Sequence, residues 1–372
     1  MRHRIIGQLR KILLPVFCAS LLCLPASALG GGTLWTVHEA PSEAEQLRVI
    51  SDYTGEVTIT FLGDCTLGGE EKSRDFARRI EDNGIAYPFR NLIRLTGTDD
   101  LTVANLEGVL SDRNLVKTEK TYNFRGPASY TEILRAGSVE CVTLANNHSH
   151  DYGEPGYRDT KAALEDAGVC WFGLDAPAIW ETEDGVRIGF LGVGSSLTTG
   201  RYTTYKTYAQ RLRDYGCAAV ITVMHAGTEY DYNPPDAYQQ QITTRAIPYT
   251  DLIIGHHPHV PQGYTVLDGV PVVYSLGNCV FGGNPRPKER DALVIQAVLH
   301  FTDGELDRID LHFWPILISG EVSRNDYSPV FLSGEEAERV LEKIRKSTGM
   351  DPGPFDENQG AVVSFPAGAA KE

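Results

Sequence analysis

The sequence predicts an α/β layered fold, and three observations carry that prediction. From Val57 onward, short apolar, β-rich runs alternate with longer segments of helical period. Five of these runs are followed at once by clusters of Gly, Asn, Asp, Glu and His, the pattern of strands that end at a ligand-binding edge. After Asp291 the alternation gives way to two long strand-like runs and one amphipathic helix.

In chain order, residues 1–28 read as an export signal. Arg2, Arg4, Arg10 and Lys11 precede the apolar stretch ILLPVFCASLLCLPA, and Ala26-Ser27-Ala28 supplies the small residues of a cleavage site. A retained membrane anchor is the other reading of the same segment. Neither Cys18 nor Cys23 follows the small residue that a lipoprotein signal shows, and no later segment is long and apolar enough to span a bilayer. Residues 29–55 are polar, Gly-rich and without period, and read as a linker.

The main domain is expected over 56–300. Its candidate strands are Val57–Leu62, Leu101–Ala104, Val142–Ala145, Arg187–Val193, Ala219–Met224, Leu252–Ile254 and Val272–Ser275. Helical patterns fall near 71–82, 129–136, 157–167, 205–215 and 236–248. The runs ALVIQAVLHF and ELDRIDLHFWPI, joined at Asp303-Gly304, predict an antiparallel hairpin. GEEAERVLEKIRKSTG predicts a helix with acids at its start and bases at its end, as the helix dipole favours. Residues 301–348 are thus expected to form a small C-terminal hairpin and helix, and 349–372, rich in Pro, Gly and Ala, a flexible tail.

The net charge of −15 becomes −19 once the signal, with four basic and no acidic residues, is set aside. Diffuse charge of that sign excludes gripping a nucleic-acid backbone or an anionic membrane, so an anionic substrate needs a local cation. Cys65, Cys141, Cys170, Cys217 and Cys279 are odd in number and lack CxxC spacing, which leaves no legible disulfide framework or zinc-thiolate site.

The clusters after the strands carry the chemistry. GDCTLGG holds Asp64, NLEG holds Asn105 and Glu107, and NNHSHDYG holds Asn146, Asn147, His148, His150 and Asp151. MHAGTEY holds His225 and Glu229, and GHHPH holds His256, His257 and His259. Six of the ten histidines fall in these segments, and hard or borderline divalent ions take carboxylate oxygen and imidazole nitrogen together. A shared carboxylate commonly bridges two such ions, and Glu107 stands in the middle of the series.

In order, GDCTLGG, ANLEG, NFRGP, LANNHSHDYG, MHAGTEY, IIGHHPHVPQG and YSLGN closely resemble the CapA family of bacterial capsule (poly-γ-glutamate) synthesis proteins, a branch of the calcineurin-like metallophosphoesterase fold. The resemblance implies a four-layer α-β-β-α metallophosphatase-like sandwich. It also implies one or two divalent ions (Mn, Zn or Fe), with Asp64 and His259 at the first, Asn147, His225 and His257 at the second, and Glu107 between them. His148 is then the general acid, Asp151 its orienter, and Arg125 in NFRGP the partner of a substrate carboxylate or phosphate. The wider phosphoesterase pattern has Asp-x-His at the first strand; here, as in the CapA branch, that histidine is missing, and Thr66 is a poor ligand.

His150 and His256 are not assigned as ligands, and Glu229, Tyr230, Ser275 and Asn278 read as supporting or structural. The Tyr-rich run from Tyr202 to Tyr215 reads as a packed or half-exposed helix face. Singly, Asp64 or Asn147 can cap a turn, His225 can be a satisfied strand-end histidine and Arg125 an ordinary ion pair. Two functions stay open: a metal-dependent hydrolase acting on an anionic polymer or cell-wall peptide outside the cytoplasm, and a non-catalytic metal-binding scaffold of a membrane capsule-assembly complex.

Overall fold

The computed structural model describes residues 31–42, 52–70, 73–195 and 197–367. The expected export signal, 1–28, lies outside the described residues. In chain order the strands are β1 (Thr33–Thr36), β2 (Gly55–Thr66), β3 (Leu101–Leu106), β4 (Val109–Leu110), β5 (Arg125–Gly126), β6 (Cys141–Thr143), β7 (Cys170–Phe172), β8 (Ala178–Glu181), β9 (Arg187–Val193), β10 (Ala219–His225), β11 (Leu252–His256), β12 (Pro261–Leu267), β13 (Val270–Leu276), β14 (Asn278–Phe281), β15 (Asp291–Thr302), β16 (Glu305–Leu317), β17 (Val330–Phe331) and β18 (Ala361–Pro366). The helices are α1 (Asp75–Asn83), α2 (Ile93–Thr96), α3 (Thr131–Ala136), α4 (Gly153–Ala167), α5 (Thr199–Asp214), α6 (Ala237–Ala246) and α7 (Gly334–Thr348).

Two mixed sheets hold most of the chain, and β4 and β5 pair in parallel as a third, two-stranded sheet. One has seven strands in the order β1-β8-β9-β10-β11-β13-β12. The other has nine, with the path β17-β16-β15-β2-β3-β6-β7, β14 added on β2 and β18 on β16. β9, β10, β11 and β13 run parallel, as do β14, β2, β3, β6 and β7. Every residue of β9 and β10 is buried, because each sheet is covered on both faces.

Three apolar layers show what covers them. Ile59, Phe61 and Val103 of one sheet pack with Phe190, Ile221 and Ile254 of the other, so the sheets lie face to face. The outer face of the nine-stranded sheet, with Leu62, Ala104 and Val142, packs on Phe76, Ile133, Leu134 and Leu164 of α1, α3 and α4. Leu191, Val220 and Ile253 of the seven-stranded sheet pack on Tyr205, Leu212 and Ile242 of α5 and α6. The order of layers is therefore helix, sheet, sheet, helix, and in the Tyr-rich segment Tyr205 and Leu212 are buried while Tyr202 and Tyr208 are half-buried.

The hairpin and helix after Asp291 form, but not as an appendage. β15 pairs antiparallel with β2 from Ile295↔Phe61 to Phe301↔Gly55, so the expected boundary at 300/301 falls inside a strand of the central sheet. Ala337, Val340, Leu341 and Ile344 of α7 enter the layer between the sheets. Two further expectations are corrected. Within the expected linker, β1 pairs with β8 and buries Leu34. Within the expected tail, β18 pairs with β16 and buries Ala361 and Phe365.

Two glycines bring the site's strands together. A Cβ on Gly63 would lie 2.3 Å from the Gly277 carbonyl oxygen, and one on Gly255 would lie 2.0 Å from that of Tyr274. Only glycine permits approaches that close. They seat Asp64, whose N–H donates to Gly277 O at 3.0 Å, and the histidines that follow Gly255.

Candidate metal centre

The parallel strands deliver their last residues to one edge. Asp64 comes from β2, Glu107 from just beyond β3, Asn147 and His148 from beyond β6, His225 from β10, and His257 and His259 from beyond β11. Asp64 and His225 are still in strand, so the strands run further into the site than the sequence predicts. The loop after β11 bends sharply: His257 has φ +99° and His259 φ +56°. Such values are uncommon outside glycine and typically cost about 1–3 kcal/mol each, and they cluster at functional sites.

Lone-pair atoms converge at two points that share Glu107. At one, His225 Nε2 lies 2.7 Å from Asn147 Oδ1, 3.1 Å from His257 Nδ1 and 3.5 Å from Glu107 Oε1. At the other, His259 Nδ1 lies 3.1 Å from Asp64 Oδ2, and its Nε2 lies 4.0 Å from Glu107 Oε1. Within each set, Glu107–His225–His257 and Asp64–Glu107–His259, one ligand atom per residue falls within 4.8 Å of the others.

Glu107 tests whether a cation fits. It is wholly buried, and among the described residues neither carboxylate oxygen has a hydrogen-bond partner. Stripping one partner from a buried ion pair typically costs about 3–5 kcal/mol, so a carboxylate placed this way calls for a counter-charge. Burial, then the nearby Asp64 charge, pushes the Glu107 carboxyl up to about 7. Burial and His257 hold His225 well below the usual imidazole range, and burial and His259 lower His257, which favours the neutral form of both, the form that ligates. Burial lowers His259 as well, but Glu107 and Asp64 prevail and push it up to about 10. Asp64, despite burial, is held well below its usual range by His256 and His259. The donor set of carboxylate, amide oxygen and imidazole suits Mn, Zn or Fe.

His148 stands beside the ligand atoms without joining them. Its Nε2 is 4.0 Å from Glu107 Oε1, and its Nδ1 is 2.6 Å from Asp151 Oδ2. Asp151 also accepts from Phe124 N at 2.8 Å and Lys120 Nζ at 3.0 Å. Phe124 packs on His148 with ring centres 4.5 Å apart, and Phe281 on His259 at 5.3 Å, which gives the site an apolar wall. Arg125 does not reach the cluster: its guanidinium donates to Arg113 O at 2.9 Å and lies 4.7 Å over the Tyr152 ring. Exposed His150 stacks on Tyr157 at 4.2 Å.

Three contributors escaped the sequence reading. Asn105 Nδ2 donates to Asp64 Oδ1 at 2.8 Å and lies 3.0 Å from His225 Nδ1. Lys120 bridges Asp151 and the Asn147 carbonyl. His256 lies against Asp64. Asn105 and His256 at least stand in strand-end clusters; nothing in the sequence around Lys120 marks it. Asn278 Oδ1, 2.9 Å from His259 Nδ1, supports that ring as a second contact.

A family model described as bacterial capsule synthesis protein PGA_cap matches residues 58–283. The capsule biosynthesis protein CapA of Bacillus anthracis is 26% identical over 320 residues, 79% of this chain and 74% of that protein. The PGA biosynthesis protein CapA of Bacillus subtilis (strain 168) is 26% identical over 294 residues, 73% of this chain and 75% of that one. Among solved structures, the calcineurin-like phosphoesterase YfkN from Bacillus subtilis superposes with a TM-score of 0.42 at 16% identity, covering 79% of this chain and 97% of that chain.

Proposed function

The chain belongs to the family of bacterial capsule synthesis proteins, and we propose that it serves there as an exported, divalent-metal-dependent hydrolase-type component of capsule or poly-γ-glutamate assembly. Glu107, whose buried carboxylate oxygens have no hydrogen-bond partner among the described residues, stands between His225 and His257 on one side and Asp64 and His259 on the other, and that observation carries this reading. When bound, one or two divalent ions supply Lewis acidity and lower the pKa of water for attack on a phosphoester or on a γ-glutamyl or cell-wall amide.

The protein's own residues divide the remaining work. Asp64 and His259 would hold one ion, and Asn147, His225 and His257 the other, with Glu107 available to both. His148 gives a proton from Nε2 to the leaving atom, because its Nδ1 is committed to Asp151. Asp151, held by Phe124 N and Lys120 Nζ, fixes the ring. Phe124 and Phe281 exclude water from that side. Arg125 meets a substrate carboxylate or phosphate on leaving the Arg113 carbonyl. The substrate is an anionic polymer or a cell-wall peptide, and a membrane capsule-synthesis complex is the partner. Among the described residues no helix is long and apolar enough to cross a membrane.

Thr66 favours a second reading. With a buried Oγ1 that has no partner among the described residues where a histidine ligand would stand, the ions hold polymer carboxylates and the protein is a scaffold. Metal analysis of the purified protein, followed by a hydrolysis screen of phosphoesters and γ-glutamyl peptides, separates the two. Metal-dependent turnover that is lost in His148→Ala supports the hydrolase; bound metal with no turnover on either class supports the scaffold.

A further inference from the structure

His256 ends β11 and is in register with His225 of β10. It is 1% exposed, and its Nδ1 is a buried polar atom without a hydrogen-bond partner among the described residues. That nitrogen lies 3.4 Å from Asp64 Oδ1. It is outside both ligand sets, whose atoms gather around Glu107. The two oxygens of Asp64 face different groups. Oδ1 receives Asn105 Nδ2 at 2.8 Å and has His256 beside it, whereas Oδ2 faces His259 Nδ1 at 3.1 Å and His257 N at 3.3 Å.

We propose that His256 is a positioning residue for Asp64, its Nδ1–H closing on Oδ1 so that Oδ2 is held toward the ion between Asp64, Glu107 and His259. This rests on the metal reading of the site. The demand for such a residue follows from the ligand missing at Thr66. With Thr66 where a ligand would stand, the Asp64 side of the centre has few ligands, and the aim of each carboxylate oxygen decides its affinity. Outer contacts of this kind typically set metal affinity by about 10- to 100-fold. A histidine kept only to fill core volume would serve as well if it were leucine.

The test is calorimetric titration of the metal-free protein with Mn²⁺, comparing the unmodified chain with His256→Leu and His256→Asn. Asparagine returns an N–H donor near the Nδ1 position, and leucine does not. The expected result is that the weaker of two binding steps loses about 10- to 100-fold in His256→Leu, that the tighter step is unchanged, and that His256→Asn recovers most of the loss. A weaker step unchanged in His256→Leu would overturn the proposal and leave the metal reading standing. So would an Asn variant no better than the Leu variant. If His256→Leu does not fold, His256→Asn decides alone, and a weaker step lost in that folded variant overturns the proposal. No Mn²⁺ uptake by the unmodified chain would instead overturn the metal reading, and this proposal with it.

Discussion

His148 Nδ1 lies 2.6 Å from Asp151 Oδ2, and the same carboxylate is held by Phe124 N–H and the Lys120 ammonium. The ring can therefore turn only one nitrogen, Nε2, toward the ligand atoms. His148→Ala should leave metal content and fold unchanged while lowering turnover by about 10²- to 10⁴-fold, the usual worth of a general acid. Asp151→Asn, which keeps the shape but not the charge, should fall between the two proteins. Loss of metal from His148→Ala, read by elemental analysis, would make it a ligand instead.

The two sets of ligand atoms should fill unequally. One has Asn147, His225 and His257 with Glu107, and the other only Asp64 and His259 with Glu107. Titration with Mn²⁺ or Zn²⁺ should show a tight and a weaker step, and Thr66→His should tighten the weaker one. Two equal steps in the unmodified protein would contradict this inequality.

Metal uptake should expel protons. His259 is pushed up to about 10 and Glu107 up to about 7, chiefly against burial in the first case and by it in the second. At about pH 8, filling the Asp64 side should release about one proton, from His259, and more as the pH falls and Glu107 is protonated as well. Calorimetry in buffers of different ionisation enthalpy reads that number directly, and a value near zero would mean that His259 is neutral in the metal-free site.

Away from the site, Glu140 and Asp99 lie at the starts of β6 and β3, where Glu140 accepts from Thr102 N at 2.9 Å and Asp99 from Thr102 Oγ1 at 2.7 Å. Burial, then the Asp99 charge, pushes Glu140 up to about 8, and burial pushes Asp99 up to about 6. Both folded-state values lie above the unfolded ones, so folding favours the protonated acids. Their stabilisation is full below about pH 4 and is lost as pH rises through 6 and then 8. The unfolding temperature should fall between about pH 4 and about pH 8, and Glu140→Gln should flatten that slope.

Much of this was legible in the residues. Asp64, Glu107 and His225 could be read as site residues because each follows a strand whose apolar run is unmistakable, and the parallel order of those strands sends their ends to one edge. Asn105 and His256 stood in the same clusters, but which oxygen of Asp64 each touches depends on the packing of β3 and β11 around β2. Lys120 lies in a loop without period, and its meeting with Asp151 is purely tertiary. The last part of the fold is hard to read from the sequence for a similar reason. β15 looks like half of a hairpin because its nearest partner, β16, is next in sequence, whereas its pairing with β2 joins residues more than 200 apart. β1 and β18 are short and each follows a glycine, Gly32 and Gly360, and they are strands only because β8 and β16 offer edges to pair with.

The most direct test is an anomalous-difference map from crystals of the protein grown with Mn²⁺. The result expected is a strong peak among Glu107, Asn147, His225 and His257 and a weaker one among Asp64, Glu107 and His259, about 3.5–4 Å apart across Glu107. A map with no peak within bonding distance of Glu107, in crystals whose Mn²⁺ content is established, would contradict the metal centre and leave that buried carboxylate without the partner argued for it.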